Sequence, residues 1–340
     1  MEHPKISIVT PSFNQGKYLE ETILSVLDQK YPNLEYIIID GGSTDNSVEI
    51  IKKYERHLTF WVSEKDKGQS DAINKGLKHV TGDLFNWINS DDLLEQGALL
   101  RIAETYRQNP EKKLFMFGLS YLNGTKKTAR SWNLSPADGL LFYCDPTIMQ
   151  PSMFYTASAL KALGPLNNRL HYAMDYEWLI KFLFTYGARD ILRSDVPVSV
   201  FRLHEDAKTS LGNERFADDI ASMLHSISVA AGLRKYSGLL KKGFHIYPEY
   251  SFSLPKGHMD PAIAERMVVY FLLQHSHRVY KRSHYIFAKE MLEVISFADF
   301  TLSPEETGWL QLIKKNTGSP SWLLFRARRK LDHIFNPGSK

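Results

Sequence analysis

Cysteine and long apolar runs are scarce in this chain of 340 residues. The single cysteine, Cys144, excludes an internal disulfide, and the N-terminal MEHPKISIVT lacks the apolar core of a signal peptide. The longest apolar run, MVVYFLL at 267 to 273, is far shorter than the roughly 20 residues that span a bilayer. We therefore expect a cytoplasmic protein without a transmembrane helix.

Two common nucleotide-binding motifs are also missing. The sequence contains no GxxxxGK[ST], and no GxGxxG follows the first predicted strand, so it indicates neither a P-loop ATPase nor a dehydrogenase. The hydrophobic content of 43% and the charged content of 24% are ordinary for a globular protein. The length fits one large domain with a smaller one.

The net charge of +4 is unevenly distributed. Residues 221–340 carry 17 Lys and Arg against 9 Asp and Glu, whereas residues 1–220 have a net charge of −4. A basic C-terminal region suits an anionic partner such as phosphate groups or lipid heads. The alternative is that these charges form an ordinary solvated protein surface. Charge alone favours the solvated surface.

The first 100 residues alternate between strand and helix patterns. Apolar, β-rich runs predict strands at 5–10, 31–40, 58–64 and 83–89, and amphipathic runs between them predict helices at 18–29, 48–55 and 69–80. Asp45 or Ser47 is placed to cap the second helix. This order predicts a mainly parallel α/β sheet with helices on both faces, and ligands bind such sheets beyond the carboxyl ends of the strands.

Polar residues stand where each predicted strand ends. Thr10 ends the first strand, Asp40 the second, Glu64 to Asp66 follow the third, and Asp91 and Asp92 follow the fourth. Because these ends converge at one edge of the sheet, their carboxylates repel, and a divalent cation with an anionic ligand would relieve the repulsion. The residues therefore predict a site for a metal-chelated phosphate compound.

Two stretches carry a resemblance to a known family. Residues 7–47, SIVTPSFNQG to IDGGSTDNS, and residues 64–92, EKDKGQSDAINKG to NWINSDD, resemble the nucleotide-sugar-binding half of the family 2 glycosyltransferases, which share the GT-A fold. The resemblance is dense over 5–100 and continues thinly to about 210. It implies an inverting, metal-dependent hexosyl- or N-acetylhexosaminyltransferase that takes sugar from a nucleotide-diphosphate donor, in the first instance a UDP-sugar.

The resemblance also implies roles for individual residues. It assigns the metal, Mn²⁺ or Mg²⁺, to Asp92 with His204, although the NSDD order leaves open whether Asp91 or Asp92 touches it. The alternatives are that Asp92 caps a helix over 93–108 and that His204 is structural. The residues implied to bind the donor are Thr10, Ser12, Asp40, Asp66, Lys67, Gly68, Asp71 and Asp91.

The motif MDYEW at 174–178 resembles the acidic motif of the family, with Met174 where a Glu is usual. The resemblance implies that Asp175 is the general base, with Glu177 as second candidate. Such a base takes the proton of the acceptor hydroxyl while that oxygen attacks the anomeric carbon, which inverts its configuration. Alternatively, Asp175 is a helix N-terminal carboxylate stabilised by the helix dipole.

The C-terminal region reads as helical. We predict a GT-A domain over 1–215, with a nucleotide-sugar-binding half at 1–100 and an acceptor and base half at 101–215, and a helical region over 216–340. Helical segments are expected near 214–242, 261–277, 279–297 and 304–315. A final basic amphipathic helix, SWLLFRARRKLDHIF at 321–335, would either dock the protein peripherally on an anionic membrane or cover the domain core.

The expected function is transfer of a sugar to a glycan or lipid-linked acceptor in polysaccharide assembly, with no nucleic-acid partner. Two alternatives stay open: a protein glycosyltransferase, and a nucleotide-sugar-binding protein without transferase activity. A nucleotidyltransferase is disfavoured because its first loop would be rich in Gly and Arg or Lys, unlike PSFNQGKY.

Overall fold

The computed structural model describes residues 3–131, 148–205, 207–208, 213–254, 259–281 and 285–293, with the isolated positions 308, 311, 312 and 315. The predicted basic helix at 321–335 lies outside the described residues, as does most of the segment predicted near 304–315. Two compact units divide the chain: Met1–Met223 with Ile246–Asp260, and Leu224–His245 with Pro261–Lys340.

The alternation predicted for the first 100 residues is confirmed. The elements are β1 (Ile6–Ser12), α1 (Gly16–Leu27), β2 (Leu34–Asp40), α2 (Ser47–Tyr54), β3 (Phe60–Ser63), α3 (Gln69–Leu77) and β4 (Leu84–Trp87). The rest of the first unit follows as β5 (Leu93–Leu94), α4 (Ala98–Gln108), β6 (Leu114–Asn123), β7 (Lys126–Arg130), β8 (Met153–Thr156), α5 (Ala157–Leu163), α6 (Met174–Tyr186), β9 (Ile191–Leu203) and the start of α7 (Asn213–Ala230).

The helix expected over 93–108 begins only at Ala98. Leu93 and Leu94 pair instead with β9 as a short antiparallel strand, and Gly97 takes a left-handed conformation with φ of 73° immediately before the helix. Asp92 therefore precedes a strand, and the alternative in which it caps a helix is wrong.

The sheet is mixed, with strand order β3-β2-β1-β4-β8-β6-β9-β5, and β7 pairs with β6. Strands β3, β2, β1 and β4 run parallel, so their carboxyl ends lie at the same edge. Strand β8 is antiparallel to both of its neighbours, whereas β9 runs parallel to β6. The parallel half is the part that the helix and strand alternation predicts.

The parallel half of the sheet is well packed. All seven residues of β1 are buried, as expected of a central strand covered on both faces, and Leu19, Ile23 and Val26 of α1 pack into the same core. Each fully buried aliphatic side chain stabilises the fold by about 1.5–3 kcal/mol. The loops at the carboxyl ends of these strands are therefore held by a well-packed platform.

The second unit is helical, as expected. It contains the end of α7, α8 (Arg234–Gly243), α9 (Pro261–Lys281) and α10 (Tyr285–Glu293). The two units divide within α7, between residues 223 and 224, whereas the predicted boundary is at 215. The chain also returns to the first unit at 246–260. Among the described residues, no helix has the length and apolar character needed to span a bilayer.

Candidate functional site

A cavity of about 1000 Å³ opens at the carboxyl edge of the parallel strands in the first unit. It lies where α/β sheets bind ligands, and it is large for a pocket that holds a single small molecule. Its walls come from the loops after β1, β2, β3 and β4, from the start of α6 and from the start of α7. Predicted residues from distant parts of the sequence meet here: Ser12, Asp66, Gly68, Asp91, Asp92 and Asp175.

Asp91 and Asp92 have different environments although they are neighbours. Asp91 Oδ2 lies 2.9 Å from His204 Nε2, and 23% of the Asp91 side chain is exposed. Asp92 is only 1% exposed, and its two oxygens accept hydrogen bonds from the Arg202 backbone N–H at 3.3 Å and from Asn89 Nδ2 at 3.1 Å. Burial, and then the charge of Asp91, raise the pKa of Asp92 well above its usual range. Asp91 is therefore the carboxylate that stands beside His204.

Tyr18 and Arg202, which the sequence does not single out, orient the Asp91–His204 pair. Arg202 donates from Nε to the Asp91 carbonyl at 3.1 Å and from its guanidinium to Glu21 at 2.5 Å. The centroid of the Tyr18 ring lies 5.1 Å from Cζ of this guanidinium and 4.7 Å from the centroid of the His204 ring. Tyr18 therefore contacts both the His204 imidazole and the Arg202 side chain that is bonded to Asp91.

Asp175 lies in the first turn of α6 and faces the cavity. Burial is the largest cause that raises its pKa, to about 6, and the charge of Asp219 acts in the same direction. The backbone N–H of Tyr176, which donates to Asp175 at 2.8 Å, and the nearby charge of Lys208 oppose this rise. A carboxylate with a pKa near 6 is ionised at neutral pH and is more basic than an ordinary aspartate.

Ser12 and Asp66 form part of the opposite wall. Ser12 is 3% exposed, and its Oγ has no hydrogen-bond partner among the described residues, which is unusual for a buried hydroxyl. Asp66 accepts a hydrogen bond from the Gly68 N–H at 2.8 Å. Gly41 allows Asp66 to approach, because a Cβ on Gly41 would lie 2.5 Å from Asp66 Oδ2. This wall therefore offers polar groups available to a ligand.

Two predicted donor contacts, Thr10 and Asp40, face the protein interior. Both are 0% exposed and neither lines the cavity. Thr10 bonds with the Tyr36 hydroxyl at 3.1 Å. The Asp40 carboxylate accepts from Ser43 Oγ at 2.5 Å and from Ser63 Oγ at 2.6 Å. Asp40 instead shapes the turn after β2, and this turn borders the cavity.

Two other predicted donor contacts, Lys67 and Asp71, support the loop before α3. Neither lines the cavity, and Asp71 accepts a hydrogen bond from the Lys67 N–H at 3.1 Å. The second candidate base, Glu177, is 0% exposed and accepts from the Tyr250 hydroxyl at 2.7 Å, away from the cavity. These three residues therefore contact other parts of the protein and do not line the cavity.

Asp45 fulfils part of the predicted cap of α2: Asn46 occupies the N-cap position without a side-chain cap bond, and Asp45 Oδ1 accepts from the N–H of Ser47, the first residue of the helix, at 3.0 Å. Asp45 Oδ2 accepts from the Gly16 N–H at 2.9 Å, and Ser47 Oγ accepts from the Gln15 N–H at 3.1 Å. They thus satisfy donors at the start of α1, which would otherwise be unpaired. The contact links the loops after β1 and β2.

Lys208 is a cavity residue that sequence reasoning missed. Its Nζ donates to Gln69 Oε1 at 2.7 Å and to the His171 carbonyl at 3.1 Å. Burial lowers the pKa of Lys208, while the carboxylates of Asp175, Asp219 and Asp91 act in the opposite direction. With Lys65 it provides positive charge in a cavity that also contains the carboxylates of Asp66, Asp91, Asp92 and Asp175, and no motif in FRLHEDAKTS separates it from other lysines.

Comparison with known proteins shows a family similarity in the N-terminal part. Residues 7–159 match the model of the family described as glycosyl transferase family 2. An uncharacterized glycosyltransferase of Mycobacterium tuberculosis is 35% identical over 124 residues, which cover 36% of this chain and 47% of that protein. The putative teichuronic acid biosynthesis glycosyltransferase TuaG of Bacillus subtilis is 38% identical over 106 residues, or 30% of this chain and 41% of that protein. The chain thus spans less than half the length of these relatives.

Solved structures show the same fold. TarS 1–349 of S. aureus in complex with UDP superposes with a TM-score of 0.58 at 17% identity, covering 98% of this chain and 92% of that chain. The mannosyltransferase PcManGT of Pyrobaculum calidifontis, in complex with GDP-Man and Mn²⁺, gives 0.51 at 17% identity and covers 97% and 88%. Residues 7–159 are therefore similar to glycosyl transferase family 2, and the unit that contains them has the GT-A fold.

Proposed function

We propose that this protein is an inverting, metal-dependent glycosyltransferase that moves a sugar from a nucleoside-diphosphate donor to a hydroxyl acceptor. One observation carries the proposal. A single cavity is lined both by Asp175, whose carboxyl pKa is raised to about 6, and by Asp91, whose Oδ2 lies 2.9 Å from His204 Nε2. The first group suits a general base and the second suits a cation that accompanies a diphosphate. The family match of residues 7–159 supports this chemistry.

The donor would bind against the loops after β1, β2 and β3. The unpartnered Ser12 hydroxyl, the Asp66 carboxylate and the close backbone at Gly41 form a polar, narrow wall suited to a nucleoside. The solved TarS complex with UDP and the PcManGT complex with GDP-Man have the same fold and support a nucleoside-diphosphate sugar. We propose a UDP-sugar as the first donor to test.

Asp91 and His204 fit a divalent cation, Mn²⁺ or Mg²⁺. A carboxylate oxygen and an imidazole nitrogen 2.9 Å apart form a mixed donor set of the type that first-row metals accept. Within the described part of the chain no group of three or more His, Cys, Asp or Glu side chains is arranged to hold a metal, so diphosphate oxygens would supply further ligands. When bound, the cation would neutralise the negative charge that grows on the departing diphosphate.

Asp175 would hold the acceptor hydroxyl and accept its proton. Its side chain lines the same cavity as Asp91, so an acceptor oxygen beside Asp175 can approach a donor whose diphosphate lies at Asp91. The attack comes from the face opposite the departing diphosphate, which leaves an inverted anomeric centre. This arrangement also argues against a nucleotide-sugar-binding protein without transferase activity, because such a protein has no use for a second, more basic carboxylate.

The acceptor proposed here is a glycan or a lipid-linked glycan in polysaccharide assembly. The similarity to TuaG, named for teichuronic acid biosynthesis, supports this setting over a protein acceptor. Peripheral attachment to a membrane through the basic segment at 321–335 stays a prediction from the sequence.

A donor screen tests the proposal. The full chain is incubated with Mn²⁺ and a panel of UDP- and GDP-sugars, and release of the nucleoside diphosphate is measured by chromatography. Hydrolysis of at least one sugar nucleotide above the level of an Asp175→Asn control is expected, since water can replace the acceptor. Release that is equal in the wild type and the control for every donor would contradict transferase chemistry at this cavity.

His204 should determine the metal preference. Because imidazole favours transition metals over Mg²⁺, the wild type should be more active with Mn²⁺ than with Mg²⁺, and His204→Ala should lose that preference. The measurement is the rate of donor hydrolysis as a function of the concentration of each ion, which gives both the activity and the apparent affinity for that ion. An unchanged ratio of Mn²⁺ to Mg²⁺ activity in His204→Ala would remove His204 from the metal site.

A further inference from the structure

Asp219 forms a dense set of hydrogen bonds beside the base. Its carboxylate is 0% exposed and lies on the part of α7 that belongs to the first unit. One oxygen, Oδ2, accepts from three consecutive backbone N–H groups: His171 at 2.9 Å, Tyr172 at 2.6 Å and Ala173 at 3.0 Å. A buried carboxylate with so many donors is strongly held, because charged hydrogen bonds are about twice as strong as neutral ones.

The three N–H groups belong to the segment that leads directly into α6. Residues 171–173, here called the 171–173 loop, end one residue before the first residue of that helix, and Asp175 is its second residue. Tyr172 and Ala173 also line the cavity. The position of the Asp175 carboxylate is therefore set by the same backbone that Asp219 holds.

A later stretch of the chain fixes Asp219 from the other side. The Tyr247 hydroxyl donates to Asp219 Oδ1 at 2.8 Å, and the Tyr247 N–H donates to Ser222 Oγ at 3.0 Å. Three residues further on, the Tyr250 hydroxyl donates to Glu177 of α6 at 2.7 Å. The segment 246–254, which returns to the first unit, thus contacts both the Asp219 cluster and the body of the base helix.

We propose that Asp219, supported by Tyr247, is a positioning residue that fixes the 171–173 loop and with it the direction in which Asp175 presents its carboxylate to the acceptor. The proposal rests on the proposed role of Asp175 as general base. It adds Asp219 and Tyr247, which lie beyond residue 159, where the family match ends.

The groups facing Asp175 define a second expected effect. The negative charge of Asp219 and the positive charge of Lys208 act on the Asp175 carboxyl, and the Tyr155 hydroxyl of β8, whose pKa is raised chiefly by burial, is near enough for Asp175 to raise that pKa further. Because Asp219 raises the pKa of Asp175 and Lys208 lowers it, Asp219→Asn should move the acidic limb of the pH–rate profile to lower pH. A replacement that acted only on folding would leave that limb in place.

Tyr247→Phe and Tyr250→Phe form a matched pair of variants. Each removes one hydroxyl that donates to a buried carboxylate, in the same segment, so each should lower the free energy of unfolding by a similar amount. Only Tyr247 contacts the carboxylate that holds the 171–173 loop. We expect Tyr247→Phe to lower kcat with the donor KM unchanged and Tyr250→Phe to keep the wild-type kcat.

Asp219→Ala should have the larger effect, a roughly 10²-fold loss of kcat, which is the size expected when a reacting group is misplaced by about 1 Å. Asp219→Asn, which keeps an acceptor oxygen for the loop, should recover part of that loss. Hydrogen exchange measured by mass spectrometry should be faster at 171–173 in Asp219→Ala and Tyr247→Phe, and unchanged there in Tyr250→Phe.

The two readouts separate this inference from the proposed function. If the wild type hydrolyses or transfers no sugar from the nucleotide-sugar panel, the proposed function fails, while hydrogen exchange still reports whether Asp219 holds the loop. The inference itself is overturned by equal exchange at 171–173 in all variants. It is also overturned if the wild type is active and the two tyrosine variants lose kcat equally. If Asp219→Ala does not fold, the tyrosine pair and Asp219→Asn carry the test.

Discussion

Replacing Asp175 by asparagine should lower the rate of sugar transfer by roughly 10² to 10⁴ and leave donor affinity almost unchanged. The asparagine keeps the shape of the side chain and its place at the start of α6, but it cannot accept the proton of the acceptor hydroxyl. The loss should therefore fall on kcat, measured by nucleoside-diphosphate release at saturating donor. UDP binding measured by calorimetry serves as the control for an intact donor wall.

The pH dependence should follow the same carboxylate. Because the pKa of Asp175 is raised to about 6, chiefly by burial, the wild-type rate should fall as the pH drops below about 6, where the base becomes protonated. The small residual rate of Asp175→Asn should lack this limb. A wild-type rate that is flat between pH 5 and pH 7, measured in the presence of saturating metal, would contradict the assignment.

Stability should change in the opposite direction to activity. Raising the pKa of an aspartate from 3.8 to about 6 corresponds to about 3 kcal/mol at most, at 1.36 kcal/mol per unit. Because the folded protein binds this proton more tightly than the unfolded chain, the penalty is absent below about pH 4 and develops as the pH rises through about 6. Asp175→Asn should therefore unfold at higher urea concentration than the wild type at pH 8, and a less stable variant would show that the carboxylate supports the fold.

The sequence predicted those parts of the fold that depend on local pattern. The alternating apolar runs of the first 100 residues define parallel strands, since a βαβ series has few other arrangements, and the strand ends then share one edge. The same reasoning placed Asp66 and Asp91 near a common site, the family resemblance of MDYEW added Asp175, and all three line the cavity.

The sequence does not predict the direction in which a side chain at the end of a strand points. Asp40 and Asp91 both follow buried strands, yet the first turns into the hydrogen-bonded turn after β2 and the second faces the cavity. The environment of Asp92 depends on the Arg202 N–H, which is 110 residues away and reaches it because β5 pairs with β9. A pairing of so short a strand leaves no periodic signal in the sequence.

The support of the base was also beyond sequence reasoning. Asp219 lies 46 to 48 residues from the N–H groups that it accepts, and Tyr247 lies in a segment without helix or strand. Such contacts arise only once α6 and α7 are packed, and an aspartate inside a helical pattern reads as a solvated residue. Sequence patterns therefore located the motif residues but did not reveal the buried residues that hold them in place.

The adjacent carboxylates Asp91 and Asp92 provide the sharpest test of the metal site. Removal of divalent cations with EDTA should abolish transfer, and added Mn²⁺ should restore it. Asp91→Asn removes the negative charge beside His204 and should lower metal-supported activity by roughly 10²- to 10³-fold, the loss typical when one group that stabilises developing charge is removed. The measurement is activity as a function of Mn²⁺ concentration.

Asp92→Asn is the matched control, since it makes the same chemical change one residue away. Asp92 is buried, its pKa is raised by burial and by Asp91, and its oxygens are used by Arg202 and Asn89. A neutral amide avoids the cost of a buried charge and retains an acceptor for the Arg202 N–H, so this variant should keep most activity and its dependence on Mn²⁺. If Asp92→Asn instead loses its response to Mn²⁺ while Asp91→Asn keeps it, then Asp92 is the metal ligand, as the resemblance to the family implied, and the Asp91–His204 pair is a hydrogen bond that orients the turn.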